Sequence, residues 1–481
     1  MSEQFLLITD VDAIQRYVFE SARMATIVGA SEIVKAFDVW LEEEARRAEY
    51  GALHAALSGG NGLFVFGDSK KAASFAGKLT CEFQKRSGSG TISVSEIIPF
   101  EDDAGFPAAR DAALCSLQRL KRLGRAIPEA LDVGLSRQCQ YCGAESALPK
   151  SVRKGDDERD IGTACRKKLD KRKEIKNAMA TQHWAEDFND LADTDYLALI
   201  AIDGDGIGAR LKNLQSAIAY ENFSAGVKCL LDQAIAAGMN TAKGEYPPFQ
   251  LLYAGGDDIV IAAQARYALN FALAFSDAVQ TIDRSWDWTA DQLPIGFSFG
   301  ISITHSKFPF RASHAIADQL LRNAKNTAKD KVWPEGAIDF AVVTEASCDP
   351  ASLMEDREIL FDNSKICFTG KPYRLKSGEP HSLSKLKEAC KALDRFPKNQ
   401  LYALRNQLNA SAWRTNQLGG SISQEQTKLR LADYLNYVSS RVMRVQTQKD
   451  AWEKACQLLP VAEGVFPHAD LADSLQLFGE F

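Results

Sequence analysis

The chain has 481 residues, 46% of them hydrophobic and 25% charged, so it is too long for one compact core and too apolar for disorder; three or four domains are expected. Its formal net charge of −6 excludes a generally basic nucleic-acid binder and leaves any RNA contact to a local patch. No apolar run nears the roughly twenty residues needed to cross a bilayer, MSEQFLLITD reads as a strand rather than a signal peptide, and ten scattered cysteines fit no secreted disulfide framework, so a cytoplasmic protein without membrane contact is expected.

In chain order, FLLITDVDAIQRYVFES is an apolar strand that reaches Asp10 and Asp12 and passes into a helical pattern, continued by MATIVGASEIVKAFD. ALHAALSGGNGLFVFGD reads as two strands joined at Ser58-Gly59-Gly60-Asn61-Gly62, where glycine permits the positive φ of a tight turn. Lys70 to Cys81 reads as a helix and TISVSEIIPF as a strand. Together they complete a ferredoxin-like βαββαβ unit over residues 1–100.

Residues 101–190 break the pattern. Cys139 and Cys142 in CQYC are spaced so that two thiolates can hold one zinc ion from a turn, and a second pair is expected downstream. The sequence offers Gly162-Thr163-Ala164-Cys165, which supplies one further thiol; a fourth ligand is His183, Cys115 or none. Such a Zn2+ would be structural. The mixed-charge run from Lys150 to Lys176 reads as a solvated helix face, with an RNA-contacting patch as the alternative.

From residue 191 to 335 the first unit recurs in sharper form. YLALIAIDGDGIG is a buried strand that delivers Asp203 onto the turn Gly204, Asp205, Gly206, Gly208 at a helix start, where backbone N–H groups can meet phosphate. LLYAGGDDIVIA is a hairpin with Gly255 and Gly256 at its tip and the adjacent acids Asp257 and Asp258. Apolar strands rarely carry unpaired acids, so Asp203, Asp257 and Asp258 are expected to converge around divalent cations, Mg2+ or Mn2+, beside a nucleoside triphosphate. A helix from Ala265 to Thr281, a loop with Trp286 and Trp288, and the strand IGFSFGISI follow. Lys307 and Lys325 come next, the first in a loop and the second on a helix.

The acidic strand end precedes the glycine turn by about fifty residues in both units, which marks an internal repeat: FLLITDVDAIQRYVFES echoes YLALIAIDGDGIGARLK. Asn61 and Gly62 are aligned by this reading with Asp257 and Asp258, so the first unit has the fold without the full acid set. From residue 336 to 481 apolar residues recur at helical spacing in SLSKLKEACKALDRF, KNQLYALRNQLN, QEQTKLRLADYLNYVSSRVMRV and DAWEKACQLLP, with Gly419 to Ser423 as an exposed loop, and a C-terminal helical domain is expected.

IDGDGIG, YAGGDD and the later FSFGISITHSKFPF leading into HAIADQLLRNAKNTAK resemble the palm of the large polymerase-cyclase subunit of type III CRISPR effector complexes and, more distantly, the GGDEF diguanylate cyclases. The resemblance implies an α+β chain with two palm (nucleotidyl cyclase) domains, a zinc-finger-like insert between them and a helical C-terminal domain. It implies that Asp203, Asp257 and Asp258 bind the metals and that Gly204, Asp205, Gly206, Gly255, Gly256, Lys307 and Lys325 line the nucleotide site. Asp10, Asp12, Gly59 and Gly60 would hold an acceptor nucleotide on the first palm. Gly162 stands where the family has a further zinc cysteine.

The expected activity is magnesium-dependent conversion of ATP or another NTP into a cyclic oligonucleotide or dinucleotide messenger for antiviral defence. Its implied partners are guide and target RNA and the other CRISPR effector subunits. None of the six histidines is followed by Asp, so an HD nuclease is not expected. The alternatives are a non-catalytic nucleotide- or RNA-binding palm scaffold and a template-directed palm polymerase.

Overall fold

A computed structural model describes residues 3–123, 137–148, 159–178, 185–192, 195–242, 248–281 and 295–344, and beyond them 353, 357–361, 364–367, 369–376, 378–379, 381–394, 396–401, 446–460, 468–474 and 477–478. His183, Trp286, Trp288, Lys150 to Glu158, the loop Gly419 to Ser423 and the helical pattern of QEQTKLRLADYLNYVSSRVMRV lie outside the described residues. No described helix is long and apolar enough to cross a membrane.

The first unit runs β1 (Gln4–Val11), α1 (Ile14–Phe19), α2 (Met24–Arg46), β2 (Ala52–Ser58), β3 (Asn61–Phe66), α3 (Ser69–Ser87), β4 (Ile92–Val94), β5 (Ile98–Phe100) and α4 (Phe106–Leu123). Its sheet has the order β2-β3-β1-β4, all antiparallel, with β5 also paired to β1. This is the ferredoxin-like order expected of a βαββαβ unit. Local chemistry sets the boundaries: the Asp68 carboxylate caps α3 by accepting from Lys70 N at 2.7 Å, and Gly88 at φ 89° ends it in the left-handed region.

The helix α5 (Thr163–Ala178) then lies across α2, close enough that a Cβ on Gly29 would stand 1.8 Å from the Lys168 carbonyl oxygen. The basic run reads in sequence as a solvated face, yet Lys168 is fully buried. The reason is pairing: its Nζ donates to Tyr17 O at 2.8 Å and Glu20 Oε2 at 3.0 Å and stands 4.2 Å from the Tyr17 ring centre.

The second unit repeats the order: β6 (Tyr196–Asp205), α6 (Ile207–Asn213), α7 (Ala217–Met239), β7 (Phe249–Gly255), β8 (Asp258–Gln264), α8 (Ala268–Thr281), β9 (Gly296–His305), α9 (Phe310–Asp330) and β10 (Ala337–Val343). The sheet order β13-β10-β9-β6-β8-β7 contains the same four-strand core, extended by β10 parallel to β9 and by β13 (Tyr373–Arg374). Residues of α7 and α8 pack with Ala198, Ile200, Ile202, Ile259 and Ile261 on one face. The helix α9 covers the other, so tightly that a Cβ on Gly300 would fall 2.1 Å from Ala317 O. That approach fixes where the later residues of α9 stand over β6.

The two units share a core: Phe37 of α2 belongs to the same buried cluster as Tyr253 and Val260 of the second sheet. Their glycine turns touch. Gly59, at φ 59°, lies so near the second hairpin that a Cβ there would be 2.4 Å from the Gly255 carbonyl carbon. Gly59→Ala is therefore expected to destabilise the protein by about 1–3 kcal/mol through backbone strain and separation of the turns, read as a lowered thermal midpoint.

The segment after residue 335 differs from the expected run of helices. It opens with β10, then the hairpin β11 (Glu358–Phe361) and β12 (Ser364–Cys367), then β13; helices follow at Leu383–Ala392, Gln446–Leu458 and His468–Ser474. Strand residues Ile338, Phe340 and Tyr373 pack in one cluster with Leu386, Trp452 and Phe478. Helical periodicity in the later sequence masked these short strands, and β10 is buried on both faces, which leaves no alternation to read.

Candidate active site

Alternation along β6 turns Ile200 and Ile202 toward α7 and α8, and sends Asp203 and Asp205 to the face covered by α9. Ile202 is paired with Ile259, and Asp258 directly precedes Ile259, so Asp258 stands beside Asp203 on that same face. Gly255 pairs with Asp258 across a two-residue turn made by Gly256, at φ 68°, and Asp257. Asp257 also lies against the upstream strand, for a Cβ on Gly204 would be 3.1 Å from the Asp257 Cβ. Thus Asp203, Asp257, Asp258, Gly204, Asp205, Gly255 and Gly256 all gather at one end of the sheet.

Lys325 joins them. Its Nζ donates to Asp203 Oδ2 at 2.7 Å and to Gly204 O at 3.1 Å. Asp205 is held by the Ser298 hydroxyl, which reaches its two oxygens at 3.1 and 2.9 Å. Gly206, at φ 77°, makes the turn into α6.

Lys307 is not brought to this site. It follows His305 at the opposite end of β9, seven residues from Ser298, or roughly 23 Å along a strand, while Ser298 is the partner of Asp203. The loop motif was legible, but its distance along the sheet was not.

The carboxylates carry more negative charge than their partners neutralise. Burial, and next the nearby Asp203 carboxylate, push Asp257 up to about 6. Burial pushes Asp258 to about 6 as well, against a lowering hydrogen bond from Gln15. Asp205 rises to about 6, again chiefly by burial. Such a set favours a cation. Two of the acids already have neutral or cationic donors, Gln15 on Asp258 at 2.6 Å and Lys325 on Asp203, which an incoming ion would have to rearrange.

Gln15 belongs to α1 of the first unit, 243 positions before Asp258, so nothing in the local sequence could have pointed to it.

The first unit keeps much of the same frame. Asp10 pairs across the sheet with Ser93 as Asp203 does with Ser298, and the Ser93 hydroxyl donates to Asp12 Oδ1 at 2.7 Å as the Ser298 hydroxyl does to Asp205. Lys121, near the end of α4, is bonded to Asp10 as Lys325 is to Asp203. Lys121 was missed in the sequence, though its place after the last strand of the repeat was the available signal.

The hairpins correct the repeat alignment by one residue. Ser58 pairs with Asn61 and Gly255 with Asp258, so Gly60 and Asn61, rather than Asn61 and Gly62, stand where Asp257 and Asp258 stand. The N–H of Gly60, a residue expected to help hold an acceptor nucleotide, donates to both Asp38 oxygens at 3.1 Å. Burial pushes Asp38 up to about 7.

Between the units, Cys139, Cys142, Cys165 and Glu145 bring four donor atoms within 4.8 Å of one another. Hydrogen bonds from the Cys142 and Cys165 thiols hold Cys139 well below the usual thiol range. Cys115 is exposed on α4 and is not part of this group.

Residues 196–333 match the family model described as Cas10/Cmr2, second palm domain. Among solved structures, "Crystal structure of Csm1 in T.onnurineus" is 13% identical and aligns over 99% of this chain and 70% of its own, with a TM-score of 0.55. "Crystal structure of Csm1-Csm4 cassette in complex with cA4" is 12% identical over 99% and 70%, with a TM-score of 0.54. The apo Csm1-Csm4 cassette aligns over 71% of this chain and 54% of its own at a TM-score of 0.45. This chain therefore spans between about half and 70% of the length of these structures. No curated protein matches it. Residues 196–333 thus match a palm of the Cas10/Cmr2 kind, within an α+β chain built on two larger sheets and the small β11-β12 pair.

Proposed function

We propose that the chain is a metal-dependent nucleotidyl cyclase of a type III CRISPR effector, joining ATP or another NTP into a cyclic oligonucleotide. The observation that carries this reading is the side-by-side placement of Asp203 and Asp258, with Asp257 at the adjoining turn and Lys325 above them. Mg2+ or Mn2+ held by these carboxylates would supply Lewis acidity toward a 3′-hydroxyl and charge neutralisation at a pyrophosphate leaving group. The excess of buried acid over nearby cation, which raises Asp257 and Asp258, fits such ions.

The chain's own residues do the rest. Asp203 and Asp258 on paired strands, with Asp257 in the adjoining turn, fix the site's negative pole. Asp205 is oriented by Ser298. Gly206, where a Cβ would meet nothing within 4 Å, leaves the turn into α6 open to phosphate, while Gly204 makes room for Ile207 and Asp257 beside it. Lys325, whose Nζ stands at Asp203 and the Gly204 carbonyl, would supply an ammonium to the polyphosphate. Across the touching glycine turns the first palm, with Asp10, Asp12 and Lys121, presents the acceptor nucleotide, which replaces a bimolecular encounter by fixed proximity.

The cA4-bound and ATP-bound Csm1-Csm4 structures make a Csm4-like partner and an adenine nucleotide the first choices to test. Guide and target RNA would act as activator. A non-catalytic scaffold is the competing reading. Incubation with labelled NTPs and Mn2+, with and without the assembled complex and target RNA, separates the two: cyclic product is the result expected of a cyclase, and its absence from the activated complex overturns that reading.

Lys325→Met is expected to raise the KM for NTP about 10- to 100-fold, the worth of a hydrogen bond to a charged group, with a smaller change in kcat. Steady-state kinetics at saturating Mn2+ measure it.

A further inference from the structure

We infer that Glu145 is the fourth ligand of a zinc site completed by Cys139, Cys142 and Cys165, and that it replaces a ligand that residue 162, a glycine, does not provide. The four donor atoms all lie within 4.8 Å of one another. A tetrahedral zinc bound at about 2.3 Å from sulfur sets its ligands roughly 3.8 Å apart, so the cluster needs little contraction to close on an ion.

The glycine accounts for the carboxylate's position. A Cβ on Gly162 would lie 2.1 Å from Glu145 Cδ and 2.4 Å from Oε1. Glu145 thus fills the volume that a side chain at 162 would need, and the two positions form a reciprocal pair: a side chain at one excludes the present side chain at the other.

The carboxylate is already aimed. Glu145 Oε2 accepts from Ala164 N at 3.1 Å and Oε1 from Cys165 N at 3.0 Å, in the first turn of α5. Each oxygen keeps a lone pair, and the N–H groups fix its orientation as outer partners do for metal-bound carboxylates. Buried Cys139 and Cys165 exclude water from two sides of the cluster. Four anionic ligands give the same formal charge with three thiolates and a carboxylate as with four thiolates, but oxygen is the harder donor, so this site should hold zinc less tightly than a four-thiolate one.

The test uses the full chain purified with its native metal, and measures zinc by mass spectrometry, zinc affinity by chelator competition, and the absorption of the Co2+-substituted protein. Wild type is expected to carry one zinc and to give a Co2+ spectrum with the charge-transfer intensity of three thiolates. Glu145→Gln keeps an oxygen acceptor for the helix N–H groups but is a poor ligand; it should weaken zinc binding at least about tenfold. Gly162→Cys alone should lower the thermal midpoint, because its Cβ meets the Glu145 carboxylate. The double variant Gly162→Cys with Glu145→Ala should restore zinc and raise the Co2+ charge-transfer intensity by about one third. Unchanged affinity and spectrum in Glu145→Gln would reduce Glu145 to a helix cap and overturn the proposal, as would a wild-type chain that takes up neither zinc nor Co2+.

Discussion

Changing Asp257 and Asp258 together to Ala is expected to lower cyclic product formation by at least about a thousandfold, or about 4 kcal/mol of barrier, in the activated complex. The two side chains lie at the hairpin where β7 turns into β8, and their removal leaves the paired strand residues Ile259 and Val260 buried as before. Loss of activity should therefore come without loss of fold. The metal-free variant should in fact be more stable than wild type, because burial first, and then repulsion from Asp203, raises both carboxyls to about 6. A higher thermal midpoint without metal, together with lost turnover, separates this outcome from simple unfolding. Near-wild-type product from the double variant would sink the cyclase reading.

The second large effect is a pH-dependent response to Mn2+. Asp205, Asp257 and Asp258 bind protons more tightly in the folded chain, at about 6, than at their ordinary value of 3.8. Their contribution to folding is therefore fully present below about pH 3.8 and is lost as pH rises through about 6, since the folded state then sheds protons it had held. Without metal, these three groups make the protein less stable at pH 7.5 than at pH 5. Mn2+ acts in the opposite sense, because it binds only the ionised carboxylates. At pH 7.5 and a hundredfold excess over Kd it should add about 2.7 kcal/mol, and at pH 5 only a small part of that. Thermal midpoints recorded at both pH values, with the Asp257→Ala, Asp258→Ala chain as control, measure it. A shift that is equal at the two pH values, or that survives in the control, would count against a carboxylate-held ion.

The repeated βαββαβ pattern and the acids of the second palm were legible because each is a contiguous run: a strand, a turn residue that needs positive φ, and a charge where an apolar strand stops. Lys325 was reached through the family resemblance rather than through its own local pattern. Its spacing along α9 is fixed by helical rise, and Gly300 lets that helix settle on β9. What escaped the sequence depends on distance through space. Gln15 meets Asp258 from the first unit, and Glu145 stands in a volume left by a glycine seventeen positions away. Lys307 had the right chemistry and the wrong end of the sheet. The one-residue slip at the first turn arose because SGGNG offers several equivalent ways to place two glycines, and only the pairing of Ser58 with Asn61 chooses among them.

The cluster that holds Ile338 and Phe340 of β10 beside Trp452 and Phe478 bears on how the molecule could be shortened. A fragment cut at residue 333, where the family match stops, would expose the flank of β9 that β10 now pairs with and bare the apolar side chains beneath the last helices. Aggregation rather than a working minimal enzyme is the expected fate of such a fragment. The acids lie at one sheet end, but it is the strands and helices after residue 336 that cover that sheet's edge and apolar face.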